Sequence, residues 1–322
     1  MRALNASLAV ALVAACGCND EHVAGIASVP PTATPDLGGA PDGGAPTGGG
    51  PSGPCSSVPT QLVSGIGAAA YDGTFLYGFG GGELRRVPLA GGTPAAVVSP
   101  VETSGARYLM VDDRSVYWVQ PGVGGSSVDA IVRAPRDGGT PAVIGWGNGI
   151  SALVVADVVY FVSAGYLRSV PRDGGLATSP IDRAAFLAGS GATLAWVGPG
   201  IRSPLHTQPL DEPVRATSLG VADSDGMFLF AAVPGTTDVL RYQLSDATIT
   251  PITQWSGNGN VVVRAFDDVL YVGNGGGPLM RVGKDGSSAA RILELLDPSP
   301  TFVIVGDSVY YAVGESTWRV CR

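Results

Sequence analysis

The chain has few residues of the types that carry nucleophilic or metal chemistry. It contains two histidines, four cysteines and a single lysine, Lys284. A hydrolase triad needs a histidine base beside a nucleophile, but only His206 lies in the part predicted to fold, and no serine stands in a Gly-x-Ser-x-Gly elbow. No histidines or cysteines have the spacing of a zinc site. We therefore expect a protein that is not an enzyme and that holds no metal or cofactor.

Two tryptophans in glycine-rich surroundings are the candidates for ligand binding. One lies in Gly145-Trp146-Gly147-Asn148-Gly149 and the other in Gln254-Trp255-Ser256-Gly257. We predict that both rings stand on loops. A tryptophan on a loop is less easily buried in the hydrophobic core than a tryptophan in a strand. Tryptophan is enriched in interface hot spots and is a flat platform for peptides or sugar rings. Packing between structural units is the alternative role for both residues.

The elements that would position these residues belong to an internal repeat that starts near residue 55. Each unit has an apolar strand, a turn rich in aspartate and glycine, a strand that ends in an aromatic residue, a strand with arginine and a second Asp/Gly turn. Aromatic segments recur about every 39 residues, at 74–77, 115–118, 158–161, 193–196, 227–230, 269–272 and 308–311. A repeat of this length with four short strands predicts the blades of an all-β propeller. We expect seven blades, with six as the alternative.

Carboxylates and arginines recur at fixed points of the repeat. The pairs Asp112-Asp113 and Asp267-Asp268 stand at the first turn. Aspartate stabilises turns by bonding to backbone amides, so we predict a turn role for these pairs rather than calcium binding. One equivalent position holds arginine in five units, at Arg86, Arg133, Arg241, Arg281 and Arg319. This repetition predicts a structural role, such as bonding to the carbonyls of a neighbouring blade.

The two tryptophans stand where an outer strand leads into the next inner strand. Propellers usually bind ligands on the face that carries these links and the loops between second and third strands. Gln120, Asp129 and Asn274 come from such loops. We therefore predict that they share a ligand face with Trp146 and Trp255.

The last unit lacks its outer strand, and a matching segment stands at the start of the domain. Residues 59–64 (Pro-Thr-Gln-Leu-Val-Ser) match the outer-strand segments 94–99 and 141–145. We predict that this N-terminal strand completes the last blade and that Cys55 and Cys321 meet at the interrupted turn. A disulfide can persist there in an exported chain, and two free thiols are the alternative.

Residues 1–15 have the pattern of an export signal. Arg2 precedes an apolar run, residues 8–15, that is too short to span a bilayer. Val13-Ala14-Ala15-Cys16 resembles the lipobox of bacterial lipoproteins, which implies that Cys16 is lipidated and becomes the first residue. Several acyl chains on one cysteine can hold a protein at a membrane. An ordinary secretory signal is the alternative, and Cys18 is a weaker acceptor.

The resemblance to Gram-negative lipoproteins also suggests a compartment. The residue after Cys16 is Gly17 rather than aspartate, which implies the outer membrane. Residues 16–54 would then form a tether, because they are rich in proline and glycine and have little apolar surface to bury. Its low-complexity part, residues 19–54, would span about 33 Å root-mean-square as a disordered chain. The predicted domains are a signal peptide at 1–15, a tether at 16–54 and a propeller at 55–322.

One repeat unit points to a known family. Val116-Tyr117-Trp118, followed by Ile-Val-Arg-Ala-Pro-Arg-Asp-Gly-Gly at 131–139, resembles a blade of the YWTD propellers of low-density-lipoprotein-receptor type. The resemblance covers residues 55–322 and is loose in the fourth and fifth repeats. Those propellers have six blades. The resemblance implies a fold and a binding habit, and it brings no catalytic residues.

Composition and charge narrow the function further. The 48 glycines and 25 prolines argue against a helical bundle. The net charge of −8 would repel a polyanion, so we expect no nucleic-acid partner. We predict a monomeric, lipid-anchored envelope protein that binds a protein, peptide or glycan on its ligand face. The alternatives are a propeller lyase or hydrolase with a site in the central channel, and a structural subunit of an envelope assembly.

Overall fold

The computed structural model describes most of the chain from Cys55 onward. The described residues are 55–101, 105–122, 127–156, 158–178, 181–184, 186–198, 205–214, 222–224, 227–232, 238–254, 261–274, 277–293 and 301–322. The chain divides into two units, Met1–Ala45 and Pro46–Arg322, and every described residue belongs to the second. All regular structure in these ranges is β-strand, and no helix within them could cross a membrane.

The strands are short and follow one another closely along the chain. The first half comprises β1 (Thr60–Ser64), β2 (Gly67–Tyr71), β3 (Phe75–Gly80), β4 (Glu83–Pro88), β5 (Ala95–Val98), β6 (Arg107–Val111), β7 (Ser115–Gln120), β8 (Val128–Pro135), β9 (Ala142–Asn148), β10 (Ile150–Val155), β11 (Val158–Ser163), β12 (Tyr166–Pro171) and β13 (Asp182–Arg183). The second half comprises β14 (Phe186–Val197), β15 (Leu205–Val214), β16 (Ala222–Ser224), β17 (Phe228–Ala232), β18 (Asp238–Gln243), β19 (Ile249–Gln254), β20 (Val261–Phe266), β21 (Val269–Asn274), β22 (Leu279–Gly283), β23 (Ala290–Leu293), β24 (Phe302–Val305), β25 (Ser308–Val313) and β26 (Ser316–Cys321).

Six antiparallel sheets of four strands form the blades of a β-propeller. They are blade 1 (β2–β5), blade 2 (β6–β9), blade 3 (β10–β13), blade 4 (β16–β19), blade 5 (β20–β23) and blade 6 (β24–β26 with β1). β14 and β15 form a sheet of two strands between blades 3 and 4 in chain order. The sequence predicts seven four-stranded blades, whereas the described ranges contain six. All seven predicted aromatic segments nevertheless fall on strands: the second strand of each blade, and β14.

The second strands read as continuous apolar runs because both of their faces are covered. In β7, every residue from Ser115 to Val119 is buried, and only Gln120 at its end is partly exposed. Alternation of apolar and polar residues is expected where one face of a sheet meets water, whereas a strand covered on both faces needs no alternation. The aromatic segments were therefore a signal of strands packed between neighbouring sheets.

Aspartates close the first turns, as the sequence predicts. The Asp72 carboxylate accepts hydrogen bonds from the backbone amides of Thr74 and Phe75, both at 2.8 Å. Asp112 accepts from the amides of Arg114 and Ser115 at 2.8 and 2.7 Å. These bonds satisfy amides that the strand ladder leaves unpaired at the turn.

Apolar clusters join each sheet to the next. Within the described residues, seven clusters of buried side chains each draw on two sheets: blades 1 and 2, blades 2 and 3, blade 3 and β14, β14 and blade 4, blades 4 and 5, blades 5 and 6, and blades 6 and 1. In the cluster between blade 3 and β14, the β14 residues Leu187, Leu194 and Trp196 pack against blade 3. In the cluster between β14 and blade 4, Ala188 and Val197 pack against blade 4. β14 is thus packed on both sides.

The two ends of the described chain meet in blade 6. β1 pairs antiparallel with β26, with Thr60 opposite Arg319 and Ser64 opposite Ser316. Cys55 and Cys321 are joined by a disulfide, with their Cα atoms 5.4 Å apart. The backbone amide of Cys321 also donates to the carbonyl of Ser56 at 2.9 Å. β26 and β1 are not consecutive in the chain, so this bridge stands where a turn joins the third and fourth strands of the other blades.

Candidate binding surface

Three of the five residues predicted for the ligand face lie together at one end of blade 2. Gln120 is the cross-strand partner of Ala130, and Ala130 is the partner of Trp146. Directly opposed residues of an antiparallel pair point to the same side of the sheet, so Gln120 and Trp146 share a face. Asp129 is one residue from Ala130 and opposite Gly147, so it points to the other side. This end of the blades, with the second-to-third strand loops and the links to the next sheet, is called the crossover face below.

Trp146 is exposed but does not stand on a loop. It lies within β9, the outer strand of blade 2, and 59% of its side chain is accessible. The prediction of a loop position was wrong because the glycines around Trp146 have a packing role within a strand. A Cβ atom at Gly145 would lie 3.2 Å from Val170, and one at Gly147 would lie 2.8 Å from Ser163 Oγ. Glycine lets β9 approach blade 3 closely, while Trp146 points to the opposite side.

A second apolar side chain is exposed beside Trp146. Val143 is opposite Val132 in the β8–β9 ladder, and Val132 and Ala130 point to the same side of β8 because they are two residues apart. Val143 and Trp146 therefore share a face of β9, with 48% and 59% of their side chains exposed. β9 ends its sheet, so its outer edge has no strand partner in the described part of the chain. We call Val143, Trp146 and this open edge the β9 surface.

Asp129 is a buried structural residue rather than an exposed ligand contact. Only 5% of it is accessible. Its carboxylate accepts a hydrogen bond from Arg107 Nη2 at 2.7 Å and one from the backbone amide of Ile150 at 2.7 Å. Arg107 also donates to the carbonyl of Ile150 at 3.2 Å. Asp129 and Arg107 thereby tie blade 2 to the first strand of blade 3, which corrects the prediction of a ligand contact at Asp129.

Asn274 belongs to a different blade from Gln120 and Trp146. The backbone of Asn274 ends β21, the second strand of blade 5, opposite Val261. By strand order it belongs to the crossover face. Trp255 and Cys16 lie outside the described residues.

The opposite end of the blades carries a polar network that ties blades together. This hairpin face bears the turns between first and second strands and between third and fourth strands. Arg86 of blade 1 donates to the carbonyl of Arg136 at 3.1 Å and to the Asp137 carboxylate at 2.9 Å, both in blade 2. In return, Arg136 lies 3.4 Å from the carboxylate of Asp72 in blade 1. Two ion pairs thus cross the boundary between blades 1 and 2, one with its arginine in blade 1 and the other with its arginine in blade 2.

The same arrangement recurs between blades 2 and 3. Arg133 donates to the carbonyl of Arg172 at 3.2 Å and to the Asp173 carboxylate, and Arg172 lies 3.8 Å from Asp112. Between blades 4 and 5, Arg241 donates to the carbonyl of Lys284 at 3.2 Å. The predicted bonding of the repeated arginines to neighbouring carbonyls is therefore confirmed at Arg86, Arg133 and Arg241.

Tyrosines lie beneath this network and hold their protons tightly. The hydroxyl groups of Tyr77 and Tyr117 donate to Asp72 and Asp112 at 2.8 and 3.0 Å. Burial, reinforced by the negative charge and hydrogen bond of Asp112, raises the pKa of Tyr117 to about 12. Burial and the hydrogen bond to Asp72 also raise the pKa of Tyr77 well above its usual value. The neutral phenols therefore act as fixed donors at physiological pH.

Two clefts with charged residues in their lining open on the hairpin face around blade 5. One, of about 570 Å³, is bordered by Met227, Arg241, Asp268, Arg281, Lys284 and Asp285, among others. The other, of about 360 Å³, is bordered by Cys55, Asp267, Asp268, Arg281, Asp307, Cys321 and Arg322. Arg281 and the aspartate pair border both. Sequence reasoning placed these residues in turns and did not anticipate a cleft.

The described residues offer no group of three or more histidine, cysteine, aspartate or glutamate side chains able to hold a metal ion. Asp112 and Asp267 instead face arginines of the next blade, at 3.8 Å for Arg172 and 2.8 Å for Arg322. These ion pairs oppose the use of the same carboxylates as metal ligands.

Comparisons with solved structures support the fold. The chain is similar to a catalytically inactive virginiamycin B lyase from Staphylococcus aureus with quinupristin, at 11% identity and a TM-score of 0.57, over 82% of this chain and 98% of that chain. It is similar to PorZ, a surface component of the type-IX secretion system of Porphyromonas gingivalis, at 10% identity and a TM-score of 0.51, over 81% of this chain and 37% of that chain. It is also similar to YCF48 bound to D1 peptide, at 10% identity and a TM-score of 0.50, over 82% and 95%.

At these identities the likeness concerns the propeller fold alone. No protein-family model matches the chain, and no curated protein sequence matches it. The propellers with this fold include a lyase, a secretion-system component and a peptide-bound protein. The fold therefore admits both catalysis and binding, and the function has to be argued from the residues of this chain.

Proposed function

We propose that this protein is a non-enzymatic, lipid-anchored envelope protein whose propeller binds a protein partner through the β9 surface. The observation that carries the proposal is the exposure of Trp146 on an outer strand with an open edge. Tryptophan dominates interface hot spots when it is buried by a partner. An exposed indole at the end of a rigid blade offers such an anchor without rearrangement of the fold.

The edge of β9 is suited to an extended peptide. Natural edge strands are usually blunted by charged residues, proline, β-bulges or extreme shortness. β9 has seven residues, Ala-Val-Ile-Gly-Trp-Gly-Asn, with neither charge nor proline. Its register against β8 shifts between Val143 and Gly145, and residues 145–148 pair regularly. A peptide strand added along this edge would bond to the β9 backbone, while its side chains would contact Val143 and Trp146. Recognition by strand addition uses both kinds of contact.

The same surface is less suited to a glycan. A sugar-binding platform combines an aromatic ring with polar side chains that bond to the hydroxyl groups. Asp129 cannot supply such a group, because its carboxylate is buried and bonded to Arg107 and Ile150. Val143, the exposed neighbour of Trp146, is apolar. Gln120 and Asn148 share the face of Trp146, but the large exposed side chains of the surface are Trp146 and Val143, and this apolar pairing favours a peptide or protein partner.

Cross-linked co-purification from cells that produce the full chain would test this function. We expect one or more protein partners with the wild type and loss of them with Trp146→Ala. Leu176→Ala is the matched control, because Leu176 is an apolar residue with 94% exposure on blade 3, and it should retain the partners. Equal recovery with Trp146→Ala and wild type would refute a role for the β9 surface.

The membrane anchor is a separate part of the proposal. It depends on Cys16, which follows an apolar run and two small residues, and Gly17 favours the outer membrane. Cys16→Ala should abolish acyl labelling and move the protein from the membrane fraction to the soluble fraction. Cys18→Ala should change neither. Retention of Cys16→Ala in the membrane fraction would contradict the anchor.

We also propose that the two-stranded sheet is a seventh blade and that β1 closes the ring. The seventh blade is supported by the packing of β14 between blades 3 and 4. Closure of the ring is supported by the apolar cluster that joins blade 6 to blade 1. Deleting residues 55–64 removes β1 and half of the disulfide, which should destabilise every blade. We expect the melting temperature to fall by more than about 10 °C, since each kcal/mol shifts a domain of this size by about 2–4 °C. A fall of a few degrees would contradict closure by β1.

A further inference from the structure

The disulfide of blade 6 lies at a cleft rather than in the core. Cys55 and Cys321 are both partly exposed, and both border the smaller cleft of the hairpin face, which has a volume of about 360 Å³. A disulfide exchanges with an external thiol only where the attacking sulfur can reach one of its two sulfur atoms. The cleft gives a small thiol that access.

The two sulfur atoms of the disulfide have different surroundings. The hydroxyl group of Ser308 donates a hydrogen bond to Cys55 Sγ at 3.6 Å, and the carbonyl oxygen of Asp307 lies 3.5 Å from the same sulfur. Within the described part of the chain, no group forms a hydrogen bond with Cys321 Sγ. If the bridge opens, Cys55 therefore has a donor for its thiolate form and an acceptor for its thiol form, whereas Cys321 has neither.

The hydroxyl group beside Cys55 is held in place by one of the repeated arginines. Arg319 Nε donates to Ser308 Oγ at 2.9 Å, and Ser308 is buried. Because Arg319 occupies a lone pair of this oxygen, the hydroxyl proton is directed away from Arg319 and is available to the sulfur. The same pair occurs in blade 2, where Arg133 Nε donates to Ser115 Oγ at 2.8 Å. The pair is thus part of the repeat, and the Cys55 sulfur beside it is an addition of blade 6.

The charges that border the cleft discriminate between thiols. Three carboxylates, of Asp267, Asp268 and Asp307, face two guanidinium groups, of Arg281 and Arg322. Asp267 and Asp307 lie 2.8 and 3.5 Å from Arg322, whereas Asp268 forms no ion pair with a described residue. These side chains together carry one net negative charge, which attracts a cation and repels an anion. A thiol with a positive charge is therefore favoured over a thiol with a negative charge.

We infer that the Cys55–Cys321 disulfide is a thiol–disulfide exchange site for a thiol that carries a positive charge. The attacking thiol first loses its proton to water. Its sulfur then forms a bond to Cys321 Sγ, the bond between Cys321 Sγ and Cys55 Sγ breaks, and the electron pair leaves with Cys55 as a thiolate. The thiolate accepts the Ser308 hydrogen bond and later takes a proton from water. A better stabilised sulfur leaves faster, so Ser308 selects Cys55 as the leaving group.

Exchange at this site changes the covalent state of the domain and is reversible. β1 pairs with β26 from Thr60 to Ser64, so this strand pairing remains when the bridge opens. The freed Cys55 thiolate can attack the mixed disulfide at Cys321, expel the external thiol and restore the bridge. The fraction of opened bridge therefore depends on the concentration of the external thiol.

Mass mapping of the first exchange step tests which sulfur is attacked. The full chain would be exposed briefly to cysteamine, a cationic thiol, and free thiols would then be trapped with excess N-ethylmaleimide. We expect peptides with cysteamine on Cys321 and maleimide on Cys55. The opposite labelling, or equal amounts of both products, overturns the inference.

Exchange rates with three small thiols test the preference for a positive charge. Cysteamine, the neutral 2-mercaptoethanol and the anionic mercaptoacetate would be compared, each rate divided by the rate of the same thiol with a neutral small-molecule disulfide. We expect cysteamine to exceed mercaptoacetate by about threefold or more at low salt, and Asp268→Asn or high salt to reduce this ratio. Equal relative rates for the three thiols overturn the inference.

The variant Ser308→Ala tests the leaving group. It should slow exchange with cysteamine by about threefold or more, because the departing thiolate loses a hydrogen bond. Thr317→Val is the matched control: Thr317 donates to the Ile66 carbonyl at 2.7 Å in the same part of the fold, and its loss removes a buried bond without touching either sulfur. Loosening of blade 6 would speed exchange in both variants. Exchange in Ser308→Ala that is unchanged or faster, with circular dichroism showing a folded protein, overturns the inference.

Discussion

Removal of the disulfide should weaken the whole propeller rather than one corner of it. The bridge joins residues 266 positions apart, so it restricts the unfolded chain over nearly the entire domain. The chain-entropy relation gives about 5.6 kcal/mol for a loop of this length. Because unfolded chains retain structure and measured effects fall below this limit, we expect Cys55→Ser with Cys321→Ser to lower the free energy of unfolding by about 3–5 kcal/mol.

Urea unfolding followed by circular dichroism measures this difference. The wild type in reductant should match the double variant, and Cys18→Ser should match the oxidised wild type, because that residue lies before the domain. The pairing of β1 with β26 remains in the double variant, so the domain should still unfold in one transition. If the double variant loses less than about 1 kcal/mol of unfolding free energy, or if reductant leaves the stability of the wild type unchanged, the argument that the disulfide restricts the unfolded chain is refuted.

Three further predictions concern single side chains. Trp146→Ala should lower the free energy of unfolding by less than about 1 kcal/mol because the ring is exposed, whereas Trp118→Ala should lower it by about 3–5 kcal/mol because that ring is buried. Equal decreases, measured by urea unfolding, would contradict the exposure of Trp146. Arg133→Gln should lower the free energy of unfolding by about 1–3 kcal/mol because its hydrogen bonds to blade 3 are lost. Arg281→Gln should lower it by less than about 0.5 kcal/mol because Arg281 is exposed. The reverse order would contradict the stabilising role of the arginine network on the hairpin face. The raised pKa of Tyr117, about 12, means that the folded state keeps a proton that the unfolded chain releases near pH 10. The stabilisation is complete below pH 10 and is lost as the pH rises toward 12, so the melting temperature should fall in this window; titration of every tyrosine near pH 10 in the folded protein, seen in ultraviolet absorbance, would contradict it.

Elements that repeat were predictable from the sequence, because each copy reinforces the others. The aromatic segments fall on strands, Asp72 and Asp112 close turns through backbone amides, and three of the repeated arginines bond to neighbouring carbonyls. The match of residues 59–64 to outer-strand segments placed β1 beside the last blade, and β1 pairs with β26. These inferences needed only local patterns and their spacing.

Features without a repeat were harder to predict. Gly145 and Gly147 suggested a loop around Trp146, but glycine is required there by the close approach of Val170 and Ser163, which local sequence does not reveal. Asp129 looked like an exposed loop residue because its partners, Arg107 and Ile150, are 22 and 21 positions away. The clefts bordered by Arg281 are lined by residues of different blades, so they are visible only when the blades are placed together in space. Arg107 stands at the start of the inner strand β6, but no second copy in the repeat indicated that it joins blades 2 and 3.

Photo-cross-linking in cells would show whether the β9 surface binds a protein partner. A photoreactive amino acid would replace Val143, which lies beside Trp146 on β9, and in a separate variant it would replace Leu176 on blade 3. We expect a discrete cross-linked protein from position 143 that disappears when Trp146→Ala is added, and none from position 176. Cross-links of equal yield from both positions, or a product at position 143 that persists with Trp146→Ala, would contradict it.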